Sequence, residues 1–463
     1  MSWCVTFTTL FPKNARQNVT KNHHHKKKNK KKNSLLLLLL LLDFYARMQV
    51  CGSGVRGAGG VYRREAAKNA SSSSSLSSSS ILFSRRSFPD GGSCSKKRNR
   101  KPKTVSSSST QSDILYAHVE NAEHDNLGHP ECAARIPAIL EKLEAEFFLE
   151  RRKDASIVCL ENPPKASVED LIPLDIHSQN YMKSLEFLAK TKAPCQIDAS
   201  TYMTPSSFDA ALSCIGASNV LVDAVFKGKT KTGFALVRPP GHHAVVKGPM
   251  GFCLFNTAAA AVRYAQKQYP NDVKKVMVYD FDVHHGNGTN DIFAKDPTVL
   301  FVSTHEDGSF PGTGKISDIG QDEGEGTNIN VPLPPGSGEK SVLEAFDTIV
   351  EPAARRFQPD FIVVSAGYDA HWRDPLANLN FRSRTYHYLS SRLKKLSEDL
   401  CEGKIVFLLE GGYDLTGLPE GVSESFAALV GEKSLEKTDP GLYEEPFEKA
   451  IKVIQEVRSV HQL

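Results

Sequence analysis

Two carboxylates and an imidazole occupy alternate positions in one short stretch of the chain. Asp280, Asp282 and His284 follow the apolar run 276–279 and precede a glycine-rich turn. Side chains of an extended segment alternate between its faces, so these three should project to the same side. Because buried carboxylates are costly unless a counter-charge neutralises them, the stretch predicts half of a metal site rather than the hydrated end of a strand.

A short apolar strand followed by glycine and reactive side chains occurs at three other places. The segments and their reactive residues are 234–237 with His242 and His243, 360–365 with Asp369, and 405–409 with Tyr413. Ligands of open α/β sheets bind beyond the carboxyl ends of the parallel strands. Four such strand ends therefore predict one shared rim of reactive groups, which is the arrangement of an enzyme.

The elements that must position these residues alternate between helices and buried strands. Helical patterns cover 133–149 and 206–226, and another follows Asn256. This alternation predicts an α/β fold, a single domain with a mostly parallel central sheet flanked by helices. The remaining predicted ranges are a catalytic domain at 111–435, long loops over the site at 303–338, and a helical tail packed on the domain at 436–463, with its helix near 447–457.

Charge and cysteine content argue against two classes of function. The 463 residues carry a formal net charge of +4, but residues 1–110 hold only Asp43, Glu65 and Asp90 as acids. The remainder is therefore net acidic, so direct nucleic-acid binding by the folded domain is not expected. The nine cysteines form no Cys-x-x-Cys pair, which favours reduced thiols over a disulfide framework or a cysteine-rich zinc site.

Residues 1–110 are predicted to be a disordered leader rich in Ser, Lys and Arg. The eight leucines at 35–42 follow a basic run and are too few to span a bilayer, so no membrane segment is expected. From Met48, itself a candidate start, the composition is typical of an organelle transit peptide. A disordered basic tail with a nuclear signal is the alternative interpretation.

Four ordered motifs resemble those of the zinc-dependent histone (lysine) deacetylase family. They lie at 238–244, 280–289, 365–370 and 410–414, and the likeness covers about residues 112–430. Asn287 and the glutamate of the last motif resemble the class II branch. The resemblance implies an arginase/deacetylase-like fold with its active site at the carboxyl ends of the strands. With the transit-like leader, the chain most resembles a plant plastid member of the family.

The resemblance implies a catalytic zinc, one per subunit. Asp282, His284 and Asp369 match the family's metal ligands. Three protein ligands leave an open position for water, as catalytic zinc sites do. Two carboxylates with one imidazole form a hard ligand set, so Fe(II) or Mn(II) could compete for the site.

The resemblance also assigns the groups that move protons and stabilise charge. His242 would be oriented by Asp280 and act as electrostatic support, while His243 would be oriented by Asn287 and act as the base. Tyr413 would hydrogen-bond the carbonyl oxygen as it becomes an oxyanion. The two glycines before Tyr413 would let its loop move.

Other matched positions would form the substrate tunnel. Gly251, Phe252 and Phe310 match its walls, which suit the apolar stem of acetyl-lysine. Leu376 matches a gate position where polyamine-selective relatives carry an acid, so it disfavours acetylpolyamines. The rim aspartate that grips the substrate backbone in relatives falls near Ser200, with Asp198 close by.

The family resemblance further implies structural K⁺ or Na⁺ ions beside the site. The first matched set is Asp280, Asp282, His284, Ser303 and Thr304, and the second is Phe293, Asp296 and Val299.

Three functions remain open from the sequence. The first is deacetylation of acetyl-lysine in protein partners. The second is hydrolysis of small substrates, either N-acetylated amines such as arylalkylamines and polyamines, or guanidino compounds as in the two-manganese ureohydrolases. The third is a catalytically idle module that binds acetyl-lysine, against which the intact reactive residues argue. The leader predicts the plastid as the location, with the mitochondrion or the nucleus and cytoplasm as alternatives.

Overall fold

Ten strands, eight of them in one parallel sheet, organise the part of the chain that the structure describes. The structure is a computed structural model that describes residues 111–149 and 156–463, so the predicted leader at 1–110 lies outside the described residues. The strands are β1 (Ser112–His118), β2 (Ile157–Leu160), β3 (Cys195–Gln196), β4 (Tyr202–Met203), β5 (Thr230–Leu236), β6 (Val276–Asp280), β7 (Val299–Glu306), β8 (Asn328–Leu333), β9 (Phe361–Ala366) and β10 (Ile405–Leu409). The main sheet has the order β2-β1-β5-β10-β9-β6-β7-β8, and every pairing in it is parallel.

Helices cover both faces of this sheet. They are α1 (Arg135–Leu143), α2 (Val168–Leu171), α3 (Gln179–Thr191), α4 (Ser207–Phe226), α5 (Thr257–Gln268), α6 (Asn287–Phe293), α7 (Glu339–Ala345), α8 (Glu351–Phe357), α9 (Ser383–Cys401), α10 (Gly417–Leu429) and α11 (Phe447–His461). One turn of π-helix, Glu144–Leu149, extends α1. By length and composition α4 could cross a membrane, but most of it is buried within the fold. The mostly parallel sheet flanked by helices is the architecture that the sequence predicted.

The register of the sheet brings four strand ends to one edge. Asp280, the last residue of β6, lies opposite Ser303 on β7 and Ser365 on β9. Leu409, at the end of β10, lies opposite Ala366 at the end of β9. Strands β5, β10, β9 and β6 are consecutive in the sheet, so the segments that follow them emerge side by side.

The helices predicted at 133–149, at 206–226 and after Asn256 are confirmed. Asn256 explains where α5 begins, because its side chain accepts a hydrogen bond from Ala259 N at 2.8 Å and caps the first turn. The tail helix α11 packs on β8 and α7 through buried residues that include Ile454 and Val457.

The prediction of continuous loops at 303–338 is wrong. Strand β7 runs to Glu306, and β8 occupies Asn328–Leu333. The asparagines of β8 made this strand resemble a loop in the sequence. They are nevertheless buried and hydrogen-bonded, and Asn328 Nδ2 donates to Asn290 O at 3.1 Å. Only 307–327 forms the long connection above the site, and it carries Phe310.

Candidate active site and metal centre

Three buried side chains converge at the carboxyl end of β6. Asp282 and His284 lie in the segment after β6, and Asp369 lies in the loop after β9. One ligand atom of each lies within 4.8 Å of the other two. His284 Nδ1 is 3.2 Å from Asp282 Oδ1 and 3.2 Å from Asp369 Oδ2. The structure therefore brings together the three residues that the sequence analysis assigned to a metal.

Backbone groups fix the orientation of both carboxylates. Asp282 Oδ2 accepts a hydrogen bond from Gly411 N at 2.8 Å, and Asp369 Oδ1 accepts one from Val283 N at 2.9 Å. Gly411 must lack a side chain, because a Cβ there would lie 2.0 Å from Asp369 Oδ2 and 2.6 Å from Asp282 Oδ2.

The donor set fits a divalent cation. Burial alone would lower the pKa of His284, but hydrogen bonds and the charges of Asp282 and Asp369 raise this pKa to about 10. Burial and the neighbouring Asp282 raise the pKa of Asp369. The two buried carboxylates therefore favour a positive charge between them. A metal ion held by their oxygens and by the imidazole would supply this charge.

The two adjacent histidines have different partners and opposite pKa shifts. His242 Nδ1 lies 3.0 Å from Asp280 Oδ2, whereas His243 Nδ1 lies 2.8 Å from Asn287 Oδ1. Burial lowers the pKa of His242, but the carboxylates of Asp282 and Asp280 outweigh it and raise this pKa well above its usual value. Burial, together with the nearby His242 and His284, holds the pKa of His243 well below its usual value.

Tyr413 lies in a loop whose backbone is fixed on two sides. Its ring is buried, and it packs edge-to-face on Phe252 with centroids 5.4 Å apart. Tyr413 N donates to Asp374 Oδ2 at 2.7 Å, and Arg135 Nε donates to Gly412 O at 2.7 Å. Burial and the charge of Asp369 raise the pKa of Tyr413 well above its usual value, so the phenol keeps its proton. These contacts hold the loop in the conformation seen here, and the movement expected from its glycines stays a prediction.

Several residues that hold the site in place were given no structural role from the sequence, where Glu410 was noted only as a mark of the class II branch. Glu410 Oε2 accepts hydrogen bonds from Gly241 N at 2.6 Å and His242 N at 3.1 Å, which ties the histidine loop to the end of β10. Arg135 Nη2 donates to Glu410 O at 2.6 Å. Burial raises the pKa of Asp374 to about 7, and the charge of Asp369 adds to this rise. The contacts that tie them to the site join segments far apart in sequence, so no local pattern predicts these contacts.

A buried ion network lies behind these loops. Glu131, which is fully buried, accepts two hydrogen bonds from Arg238, each of 2.8 Å. Arg135 Nη1 lies 3.5 Å from the same carboxylate, and Tyr202 OH donates to it at 2.9 Å. Burial opposes ionisation of Glu131, but His124 and the two arginines lower its pKa far below its usual value. The network joins the segment before α1 to the segment after β5.

Two of the residues assigned to the tunnel wall, Gly251 and Phe310, lie against His243. A Cβ on Gly251 would lie 2.4 Å from His243 Cδ2 and 2.8 Å from Phe310 Cε1, so Gly251 lies between the two rings. The Phe310 and His243 rings meet edge-to-face, with centroids 5.0 Å apart. Phe310 and Leu376 are both partly exposed, which suits positions at a tunnel mouth.

The turn near Ser200, where the family resemblance predicts the rim of the tunnel, is held together by Asp198. Ser200 Oγ donates to Asp198 Oδ1 at 3.0 Å, and the same oxygen accepts Ser200 N at 2.8 Å and Thr201 N at 2.7 Å. Ser200 O lies 3.0 Å from His129 Nε2. Asp198 therefore stabilises its own turn.

The positions assigned to monovalent cations differ in their surroundings. Asp280, at the end of β6, is buried beside Ser303 and Thr304 of β7. At the second position, Asp296 Oδ2 already pairs with Arg263 Nη1 at 2.6 Å. A cation beside Phe293 and Val299 would therefore depend on backbone oxygens, and both assignments stay predictions.

Comparison with known proteins identifies the class. The histone deacetylase domain model matches residues 129–429, and the chain belongs to this family of metal-dependent deacetylases, as its motifs predicted. It is 46% identical over 363 residues to histone deacetylase 14, chloroplastic, of Arabidopsis thaliana, covering 76% of this chain and 85% of that protein. It is 45% identical over 364 residues to histone deacetylase 10, chloroplastic, of Oryza sativa subsp. japonica, covering 76% and 81%. The crystal structure of the HDA15 HD domain shares the fold, with a TM-score of 0.65 and 32% identity, over 75% of this chain and 95% of that one.

Proposed function

We propose that the chain is a zinc-dependent hydrolase that removes acetyl groups from lysine side chains of proteins. The observation that carries this proposal is the buried convergence of Asp282, His284 and Asp369 beside His243 and Tyr413. Such a set offers three ligands and leaves room for a reacting amide.

The protein groups divide the chemistry between them. When bound, zinc supplies a Lewis acid that polarises a carbonyl and acidifies water at the site. The Nδ1–H group of His243 donates a hydrogen bond to Asn287 Oδ1. The lone pair on Nε2 is therefore free to take a proton from water and pass it to the leaving amine. His242, held in its charged form by Asp280 and Asp282, stabilises negative charge. Tyr413 keeps its hydroxyl proton and donates a hydrogen bond to the developing oxyanion.

The test is turnover with matched substrates. The full chain, loaded with zinc, should release acetate from an acetyl-lysine peptide, and Asp369→Ala should lose both turnover and stoichiometric zinc, because one of three protein ligands is gone. Asp307→Ala is a suitable control, because it removes a carboxylate near the site, in the loop that carries Phe310, but changes none of the three metal ligands. A full zinc equivalent in Asp369→Ala would refute the ligand assignment.

A second candidate function is hydrolysis of small N-acetylated amines. It is favoured by the rim, where the aspartate that the family resemblance implies falls near Ser200 and Asp198 Oδ1 is committed to its own turn. Comparing kcat/KM for an acetyl-lysine peptide with kcat/KM for free small acetamides separates the two. A peptide value at least tenfold higher supports the protein substrate, and the reverse supports the small one.

The location follows as a proposal from the leader and the relatives. Residues 48–110 have the composition of a transit peptide, and the two relatives from Arabidopsis and rice are named chloroplastic. We therefore place the protein in the plastid.

A further inference from the structure

A second cluster of metal-binding side chains lies beside the first. His242, Cys253 and Glu410 are buried, and one ligand atom of each lies within 4.8 Å of the other two. His242 follows β5, Cys253 precedes α5, and Glu410 follows β10, so the fold rather than the sequence brings them together. Nitrogen, sulfur and oxygen donors in one cluster are a set that zinc accepts.

Each of the three side chains has an atom that could bind a cation. His242 holds Asp280 through Nδ1, which leaves Nε2. Glu410 Oε2 accepts two backbone N–H groups, but Glu410 Oε1 is buried without a hydrogen-bond partner among the described residues. The Cys253 thiol donates to Gly251 O at 3.3 Å, and loss of its proton would give a thiolate that a cation binds. A buried carboxylate oxygen without a partner costs free energy that a cation would recover.

We propose that His242, Cys253 and Glu410 form a second, inhibitory site for a zinc-like divalent cation. Around a tetrahedral zinc these ligand atoms would stand about 3.3–3.6 Å apart, which follows from bonds of about 2.0 to 2.3 Å. The three atoms now lie within 4.8 Å of one another, so binding would require the side chains to move closer together. On binding, the cation displaces the thiol proton of Cys253 and the Nε2 proton of His242 to solvent, and water completes the coordination.

Occupation of this site removes a group that the reaction uses. His242 Nε2 lies 3.8 Å from Asp282 Oδ1, so the second cation would sit directly beside the first ligand set. Bound to the second cation through Nε2, His242 could then no longer present an N–H group to the reacting centre. Zinc in excess of one equivalent should therefore lower turnover at least tenfold. The turnover readout rests on the proposed function, whereas metal binding itself does not.

Cobalt titration of the metal-depleted full chain tests the proposal. A Co²⁺–thiolate bond gives charge-transfer absorption in the near ultraviolet, and the first site contains no sulfur ligand. The wild type should bind two cobalt ions and show this band as the second binds. Cys253→Ser should bind one ion, lose the band and keep its turnover in excess zinc.

Three further variants guard against a folding artefact. Cys401→Ser removes another buried thiol, one that donates to Lys404 O, and should behave as the wild type. Glu410→Gln should weaken the second ion while leaving the first, and Asp369→Ala should lose the first ion while retaining the band. A single ion per wild-type chain, or a band that persists in Cys253→Ser, overturns the proposal. These readouts need no substrate, so they stand even if acetyl-lysine peptides are not hydrolysed.

Discussion

A single methyl group at Gly411 should abolish tight metal binding. A Cβ there would lie 2.0 Å from Asp369 Oδ2, and contacts below 3.0 Å essentially never occur for real Cβ atoms. The carboxylate must therefore retreat by about an ångström, whereas metal–ligand distances tolerate about 0.2 Å. Asp282 Oδ2, at 2.6 Å from the same Cβ, must move too. Disturbing two of three ligands should cost at least a hundredfold in zinc affinity, which is about 2.8 kcal/mol.

Chelator competition measures this loss directly. Gly411→Ala should lose zinc to a chelator that leaves the wild type loaded, and turnover should fall with zinc content. Gly248→Ala is the matched control, because a Cβ there would meet only Val245 Cγ2, at 3.8 Å. If Gly411→Ala retained zinc with an affinity within threefold of the wild type, the close approach of Gly411 to the ligands would not be what fixes this site.

Three other changes test separate parts of the reasoning. Tyr413→Phe should keep zinc and KM but lower kcat by roughly a hundred- to a thousand-fold, because one oxyanion donor is lost; turnover within a few-fold of wild type would leave Tyr413 a packing residue. His177 is buried, accepts Asn256 N at 2.9 Å and has its pKa lowered by burial to about 4. Only the unfolded chain therefore gains its proton below about pH 6.5, and the free energy of unfolding should fall by up to about 3 kcal/mol as pH drops to 4. The slope of the free energy of unfolding against pH should be smaller in His177→Gln than in the wild type, by up to the equivalent of one bound proton. Equal slopes in the two proteins would contradict the assignment. A fluorescent fusion of residues 48–110 should enter plastids. A purely nuclear signal would exclude the prediction that this segment directs import into an organelle.

The architecture was predictable because its signals are local. Alternating helices and buried strands can satisfy their backbone groups and bury their apolar sides only as a covered parallel sheet, and the structure has this sheet. The prediction failed at 303–338 because β8 alternates Ile329 and Val331 with buried asparagines that find hydrogen-bond partners. Composition alone favours loops where asparagines occur, because it cannot show that the Asn328 side chain hydrogen-bonds Asn290 O.

The sequence by itself determined the reactive residues, because the chemistry of a metal site requires particular side chains at the ends of strands. Asp282, His284 and Asp369 could be proposed from type, spacing and motif, and the structure brings them within ligand distance of one another. Only the tertiary structure decided what holds them there. Arg135 reaches Glu410 O across 275 residues of chain, and Gly411 is glycine because two carboxylates occupy the space of its side chain. Contacts of this kind depend on the three-dimensional meeting of distant segments, which no local pattern of residue types encodes.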